Sequence, residues 1–234
     1  MNWFEFKPYV PVAQRRAEAR KKIAALGKTT KLSPVEISGK KIARTWWGAS
    51  WCANLERYAD FENRIGRGRS YVRNGQVIDL SISDGKVASM VMGSELYHVQ
   101  IGIDGLSKKT WRTVAEQVGR RIGSLAELVE GKFPEELGEI FMRQGEGLFP
   151  SPREIHMQCD CPDYAVMCKH VAATLYGIGA RLDTEPLLFF KLRGIPFEEL
   201  LKKSVDEKMK KLLKNAHKKT NRVLKGDVAG IFGL

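Results

Sequence analysis

Alternating apolar and polar positions are clearest between residues 69 and 103. Ile78, Leu80 and Ile82 occupy alternate positions, which is the pattern of a strand with one buried face. Turn signals divide the region, because Asn-Gly and Asp-Gly suit the two-residue turns of hairpins. The signals are Asn74-Gly75, Asp84-Gly85 and Gly93-Ser94, and the runs between and after them are 77–82, 87–92 and 96–103. Residues 69–103 therefore predict a four-stranded antiparallel meander.

Apolar residues spaced three and four apart predict helices on both sides of this meander. Gly27 can end the first helix, Ser124 followed by Glu127 is a capping box, and Pro134 suits a first turn. The second helix has an apolar stripe that predicts a core-facing side, made of Trp47, Trp51, Leu55 and Tyr58. The predicted helices cover 15–26, 44–60, 110–122, 124–130, 134–142 and 197 to about 214.

Three of the four cysteines lie close together in the sequence and next to a histidine. Cys159, Cys161, Cys168 and His170 supply the sulfur and imidazole ligands that zinc prefers, and four such ligands close a tetrahedral structural site. Cys159 and Cys161 share one face of an extended strand, while Cys168 and His170 fall at the start of a predicted helix. The alternatives are a disulfide, or buried thiols beside an unrelated histidine, but a disulfide between Cys159 and Cys161 would close a strained ring. We therefore expect one structural zinc ion.

The spacing Cys-x-Cys-x6-Cys-x-His resembles the SWIM zinc finger over roughly residues 153 to 182. Pro162 after the second cysteine and Lys169 between the last two ligands agree with that pattern. Upstream segments are also similar to bacterial and archaeal SWIM-containing proteins, namely the cluster of Trp46, Trp47 and Trp51 and the segments 68–77 and 93–97. The resemblance implies a zinc-stabilised module for DNA binding or protein interaction. Such modules often accompany Swi/Snf-type helicases, transposases and recombination factors, and the resemblance implies no reaction.

These elements predict an α+β fold. It would contain an antiparallel four-stranded meander with flanking helices, a small zinc-stabilised ββα-like SWIM finger and a basic C-terminal helix. Residues 1–40 would form a basic N-terminal extension with a helix, 41–150 the α+β domain, 151–195 the finger and 196–234 a basic helical tail. We expect 145–152 to be a linker and 155–157 to be the strand that carries Cys159. If the finger is modular, Cys161→Ser should unravel 155–182 and leave the sheet formed.

The formal net charge is +12, from 39 basic and 27 acidic residues. Such an excess favours an anionic partner, most simply nucleic acid. The cations are concentrated in residues 202–225, where ten Lys and Arg residues stand against two acids. The candidate phosphate contacts are Arg64, Arg67, Arg69, Arg73, Lys169, Lys202, Lys203, Lys210, Lys211, Lys214, Lys218 and Lys219.

Some of these cations have a second interpretation. The four arginines surround Gly66 and Gly68 and suit a phosphate-contacting loop, but Arg69 and Arg73 could instead line the exposed face of the sheet. Lys169 could balance the charge of metal-bound thiolates rather than touch a phosphate. The basic helix 15–26 could present a solvated face or contact phosphates.

No catalytic constellation accompanies the cysteine cluster. A site with four protein ligands has no vacant position at which to activate water. The nucleobase deaminases need His-x-Glu ahead of their cysteine pair. Here His156 is followed by Met157 and Gln158, and we expect His156 to be an ordinary strand histidine. A Walker loop, a nucleophile elbow and a His-Glu-x-x-His helix are missing from the sequence, so we expect no enzyme.

Two functions fit this sequence. The first is binding of DNA or RNA with low sequence specificity, in which basic side chains contact phosphates. The second is an adaptor whose finger and tryptophan region dock a protein, such as a Swi/Snf-type helicase or a ribonucleoprotein such as the ribosome. The sequence has no apolar run of bilayer length and does not begin with a signal-peptide pattern. The expected location is the cytoplasm.

Overall fold

A computed structural model describes most of the chain. The described residues are 10–57, 62–121, 135, 138–143, 147–196, 198, 202, 205, 206, 209, 210 and 213. They form a mixed fold of helices around one antiparallel sheet, so the predicted α+β class is confirmed.

The helices and strands alternate in blocks along the chain. Three helices precede the first three strands, and they are α1 (Val12–Leu26), α2 (Trp46–Glu56) and α3 (Glu62–Arg73). The strands are β1 (Val77–Ser83), β2 (Lys86–Met92) and β3 (Leu96–Ile103). The later elements are α4 (Lys108–Arg121), α5 (Gly138–Phe141), β4 (Ile155–Cys159), α6 (Lys169–Leu182) and α7 (Leu188–Leu192).

The four strands lie in the order β1-β2-β3-β4, and every neighbouring pair is antiparallel. Val87 pairs with Ile101, and Ile101 pairs on its other side with Met157. The three predicted strands after Asn74 are confirmed. The fourth strand is not the segment before Asn74 but β4, which the sequence predicted only as the strand leading to Cys159.

The segment 62–73, expected to be a phosphate-contacting loop and the first strand of the meander, is the helix α3. Its buried residues recur at helical spacing, because Ile65, Gly68, Tyr71 and Val72 all face inward. Gly68 allows the close packing, since a Cβ there would lie 2.5 Å from the Cβ of Ala172 in α6. The loop predicted from Gly66 and Gly68 is therefore wrong. The segment is a helix that packs closely on α6.

The helix α6 lies in the centre of the core and packs against α2, α3 and all four strands. Its residues from His170 to Gly179 are buried on every side, which is the property of an internal helix. Around it lie the buried faces of β1, β2 and β3 and the aromatic residues that follow it, Phe189 and Phe190.

Two indole N–H groups hold α2 against α6. The Nε1 of Trp51 donates to the backbone oxygen of Leu175 at 3.0 Å, and the Nε1 of Trp47 donates to that of Leu182 at 2.9 Å. Trp51 and Leu55 are buried, so the predicted core-facing stripe is confirmed for the described residues. Tyr58 lies outside them.

The remaining element predictions have mixed outcomes. The helices predicted at 15–26 and 110–122 are α1 and α4. The helix predicted at 134–142 is present as the short α5, while the one at 124–130 lies outside the described residues. The described positions between 198 and 213 are helical, as expected for the C-terminal segment.

Residues on the two sides of position 150 share one sheet and one core. Strand β4 pairs with β3, and Phe149, expected in a linker, is buried with its ring 5.3 Å from that of Phe189. The division of the chain into four domains stays a prediction. In the described residues, however, the finger is packed into the sheet and helices that precede it.

Candidate metal centre

The four predicted ligands meet at one end of the core. Strand β4 ends at Cys159 and a turn brings Cys161 beside it, while Cys168 caps the start of α6 and His170 lies in the first turn of that helix. Their ligand atoms all lie within 4.8 Å of one another. The Nδ1 of His170 is 3.8 Å from the Sγ of Cys159 and 4.0 Å from the Sγ of Cys168. Ligand atoms around tetrahedral zinc are about 3.6 to 3.8 Å apart, so the cluster fits one ion.

Hydrogen bonds shape the turn that brings the ligands together. The backbone N–H of His98 donates to Oδ1 of Asp160 at 2.9 Å, which anchors the residue between Cys159 and Cys161 to β3. The carboxylate of Asp163 accepts from the backbone N–H of Ala165 at 3.3 Å and pairs with Arg64 at 3.0 Å. These contacts hold the turn without using any ligand atom.

The protonation chemistry of the cluster suits a metal ion. Hydrogen bonds from the thiols of Cys159 and Cys161 lower the pKa of Cys168 well below its usual range, with a further contribution from the backbone N–H of Val171. The same contacts raise the pKa of Cys159. Burial lowers the pKa of His170, so its ring is neutral and able to ligate. Metal binding would release the remaining thiol protons.

The imidazole of His170 is held by aromatic rings. The ring of Tyr97 stacks on it at 4.2 Å, and Tyr71 meets it edge-on at 5.4 Å. Its Nε2 is buried and has no hydrogen-bond partner in the described part of the chain. Gly93 closes the pocket, because a Cβ there would lie 2.8 Å from the Tyr97 ring and 3.0 Å from Nε2. Tyr71 and Tyr97 were missed by the sequence interpretation, since neither ring carries a metal-binding atom.

All four cysteines are free thiols, so the structure contains no disulfide among them.

Cys52 lies apart from the cluster, where a Cβ on Gly179 would lie 2.5 Å from its Sγ. Burial raises the pKa of Cys52 to about 12, which keeps this packed thiol protonated. His156 is exposed and pairs with Asp104 at 3.0 Å, as an ordinary strand histidine.

The four arginines predicted to contact phosphates lie on one helix but differ in their surroundings. They lie on α3, neither in a loop nor on the sheet face. Arg64 pairs with Asp163, and Arg69 lies 3.5 Å from the carboxylate of Glu56. Arg67 and Arg73 are exposed.

The predicted lysines are divided between the finger and the tail. Lys169 is the first residue of α6 and is partly buried. Lys202 and Lys210 are exposed. The other predicted contacts lie outside the described residues, namely Lys203, Lys211, Lys214, Lys218 and Lys219.

The family model of the SWIM zinc finger matches residues 151–177, which contain all four ligands. This segment is a SWIM zinc finger. Its Cys3His cluster is able to bind one zinc ion. The SWIM finger thus supplies β4, most of α6 and the turn between them.

A longer similarity connects the chain to a mycobacterial protein. Over 163 residues it is 40% identical to Uncharacterized protein Rv2102 of Mycobacterium tuberculosis, which covers 68% of this chain. The chain spans 58% of the length of that relative. No solved structure matches the chain.

None of the described helices has the length and apolar character needed to cross a bilayer.

Proposed function

We propose that the protein binds nucleic acid with low sequence specificity and that the zinc ion has a structural role. Support comes from the exposed cations of two neighbouring helices, α1 and α3. The guanidinium of Arg15 in α1 lies 4.7 Å above the ring of Tyr71 in α3, so the two helices are in contact. Their outward side chains offer phosphate contacts near the metal centre, because the ring of Tyr71 also meets His170 edge-on.

We define the basic face as Arg16, Arg20 and Lys21 of α1 with Arg67 and Arg73 of α3. All five side chains are exposed. Within the described ranges no acidic side chain pairs with any of them. Exposed cations without acidic partners can exchange their counterions for phosphates, which is the main source of sequence-independent affinity. This observation carries the proposal.

The proposed role of the zinc ion is to hold the finger together. Four protein ligands fill its coordination sphere, and a filled sphere organises structure without activating water. We therefore propose a binding protein without catalytic activity. The free thiols suit a reducing compartment, and the cytoplasm is the proposed location.

The test is a binding titration against single-stranded DNA, duplex DNA and RNA at several salt concentrations. It compares the zinc-loaded full chain with a chain ending at Gly194 and with the variant Arg16→Gln/Arg20→Gln/Arg67→Gln/Arg73→Gln. We expect the variant to bind at least about tenfold more weakly and to lose about 0.9 from the salt slope on duplex DNA for each lost phosphate contact.

The matched control removes the same number of charges elsewhere. Lys86, Lys108, Lys109 and Lys191 are exposed and lie on β2, α4 and α7. Their combined change to glutamine should leave most of the affinity. Equal losses of affinity in the two variants would mean that binding depends on net charge and not on the basic face. Loss of binding only in the chain ending at Gly194 would assign the phosphate contacts to the C-terminal tail. Absence of binding by the full chain would contradict the proposal.

An adaptor role is the second candidate. It is favoured by two apolar side chains in the turn of the finger, since Tyr164 is 90% exposed and Val166 is 63% exposed. Exposed apolar side chains grouped in this way are typical of binding sites for proteins.

A further inference from the structure

The two edges of the sheet differ. Along β1 the edge is covered, because the backbone N–H of Val35 donates to Val77 at 3.0 Å and that of Leu80 donates to Ser33 at 2.9 Å. At the other edge, β4 pairs with β3. No described residue forms a strand beside it. An open strand edge presents unpaired backbone donors and acceptors to any extended chain that approaches.

The register shows which backbone groups point outward from β4. The N–H of Asp104 donates to the oxygen of Glu154, and the N–H of Asp160 donates to the oxygen of His98. Hydrogen-bonded pairs alternate along an antiparallel ladder, so the even-numbered residues of β4 bond to β3. The backbone groups of Met157 and Cys159 therefore point to the open edge, whereas the N–H of Ile155 already donates to the backbone oxygen of Pro152.

A groove of about 580 Å³ lies against this strand. Met157 and Cys159 line it from β4, and Tyr164 and Val166 line it from the turn of the finger. Both of these turn side chains are largely exposed. The backbone beside them is nevertheless held in place, because Asp163 pairs with Arg64 and accepts a hydrogen bond from the N–H of Ala165. The groove thus combines a strand edge with apolar side chains held in place beside it.

The charge of the groove differs from that of the whole chain. Among the described residues that line it there is no Lys or Arg, and its titratable side chains include His98, Asp160 and Asp163. Arg64 neutralises Asp163, while Asp160 is half-exposed and, among the described residues, pairs with His98. In a chain of net charge +12 this site lacks the cations that phosphates require and carries a carboxylate instead. Its charge complements a basic peptide rather than a nucleic acid.

We propose that the open edge of β4 and the adjoining groove bind an extended basic segment of a partner protein by strand addition. The segment would pair its backbone with Met157 and Cys159. Its apolar side chains would contact Tyr164 and Val166, and a lysine or arginine would meet Asp160. In this mode the main-chain hydrogen bonds supply affinity and alternate side chains supply specificity.

The test uses short labelled peptides and the zinc-loaded full chain, with binding followed by fluorescence anisotropy. The probe alternates Lys and Val, and a second peptide alternates Glu and Val. We expect the Lys peptide to bind and the Glu peptide to bind at least about tenfold more weakly. N-methylation of one alternate set of probe residues should abolish binding and N-methylation of the other set should not, because only one set faces β4.

The protein variants separate the groove from the rest of the surface. Tyr164→Ala combined with Val166→Ser should weaken the Lys peptide at least about tenfold, and these exposed positions should leave zinc content unchanged. Met142→Ala alters an exposed apolar side chain outside the groove and should have no effect. The proposal is overturned if the Lys peptide does not bind, if both methylated peptides behave alike, or if the groove variant loses oligonucleotide binding instead.

Discussion

At the scale of single residues, the ligand His170 is packed against side chains that supply no ligand atom. His170 is stacked on Tyr97, and its Nε2 is buried without a partner in the described part of the chain. A metal-bound histidine is usually oriented by a hydrogen bond from its second nitrogen. Here the stacked ring of Tyr97 and the close approach of Gly93 restrict how the imidazole can rotate.

Replacing Tyr97 by leucine tests this role. Loss of the stacked ring frees the imidazole to rotate, so we expect zinc affinity to fall by about tenfold, at the lower end of the effects seen when the groups that orient a ligand are removed. Competition with a chromophoric chelator measures it. Tyr164→Leu is the matched control, because Tyr164 belongs to the same finger but is exposed. Similar affinities in the two variants would show that the stacking does not position the ligand.

The ligands themselves were predictable because their chemistry is local. The short spacing of three cysteines and a histidine leaves few alternatives to a metal, and all four meet as expected. The rings around them were not predictable in the same way. Tyr97 reaches His170 only because β3 and α6 come together in the fold, and nothing in its sequence neighbourhood indicates that contact.

At the scale of elements, the difference between sequence and structure lies in α3. Its arginines and glycines suggest a loop, while its small apolar content gives a weak helical signal. The contact with α6 decides the outcome, because Gly68 lets Ala172 approach closely. Strand β4 shows the same limit, since its pairing with β3 joins residues far apart in the sequence. Hairpins β1 to β3 were predictable because their turns are local.

The two glycines of α3 give opposite predictions for the same substitution. Gly68→Ala should destabilise the protein by about 1 to 3 kcal/mol, since its Cβ would lie 2.5 Å from Ala172 and overpack the helix contact. Gly66→Ala should stabilise it by up to about 1 kcal/mol, because a Cβ there meets nothing within 4 Å and alanine favours helix. Urea denaturation measures both changes. Equal effects would contradict the close packing of α3 on α6.

At the scale of the whole molecule, the SWIM finger forms part of the core. Its helix α6 is buried between α2, α3 and the sheet, and its strand completes that sheet. Unravelling 155–182 alone would expose the inner faces of α3 and β3 to water. The expectation that Cys161→Ser leaves the sheet formed stays untested, and these contacts favour the opposite outcome, a loss of stability throughout the described fold.

The basic face and the groove beside β4 differ in charge. The basic face lies on α1 and α3, whereas the groove beside β4 carries Asp160 and lacks lysine and arginine among its described lining. The two proposed activities therefore use different surfaces around one zinc centre, and variants of one surface should leave the other intact.

Hydrogen exchange before and after chelation of zinc tests most directly whether the finger organises the fold. Structural zinc contributes on the order of 10 kcal/mol in isolated finger peptides, and a surrounding core should reduce that dependence without removing it. Release of one zinc ion per chain should speed amide exchange in 155–182, in α3 and in β3 together. Faster exchange confined to 155–182, or unchanged exchange everywhere, would contradict the account.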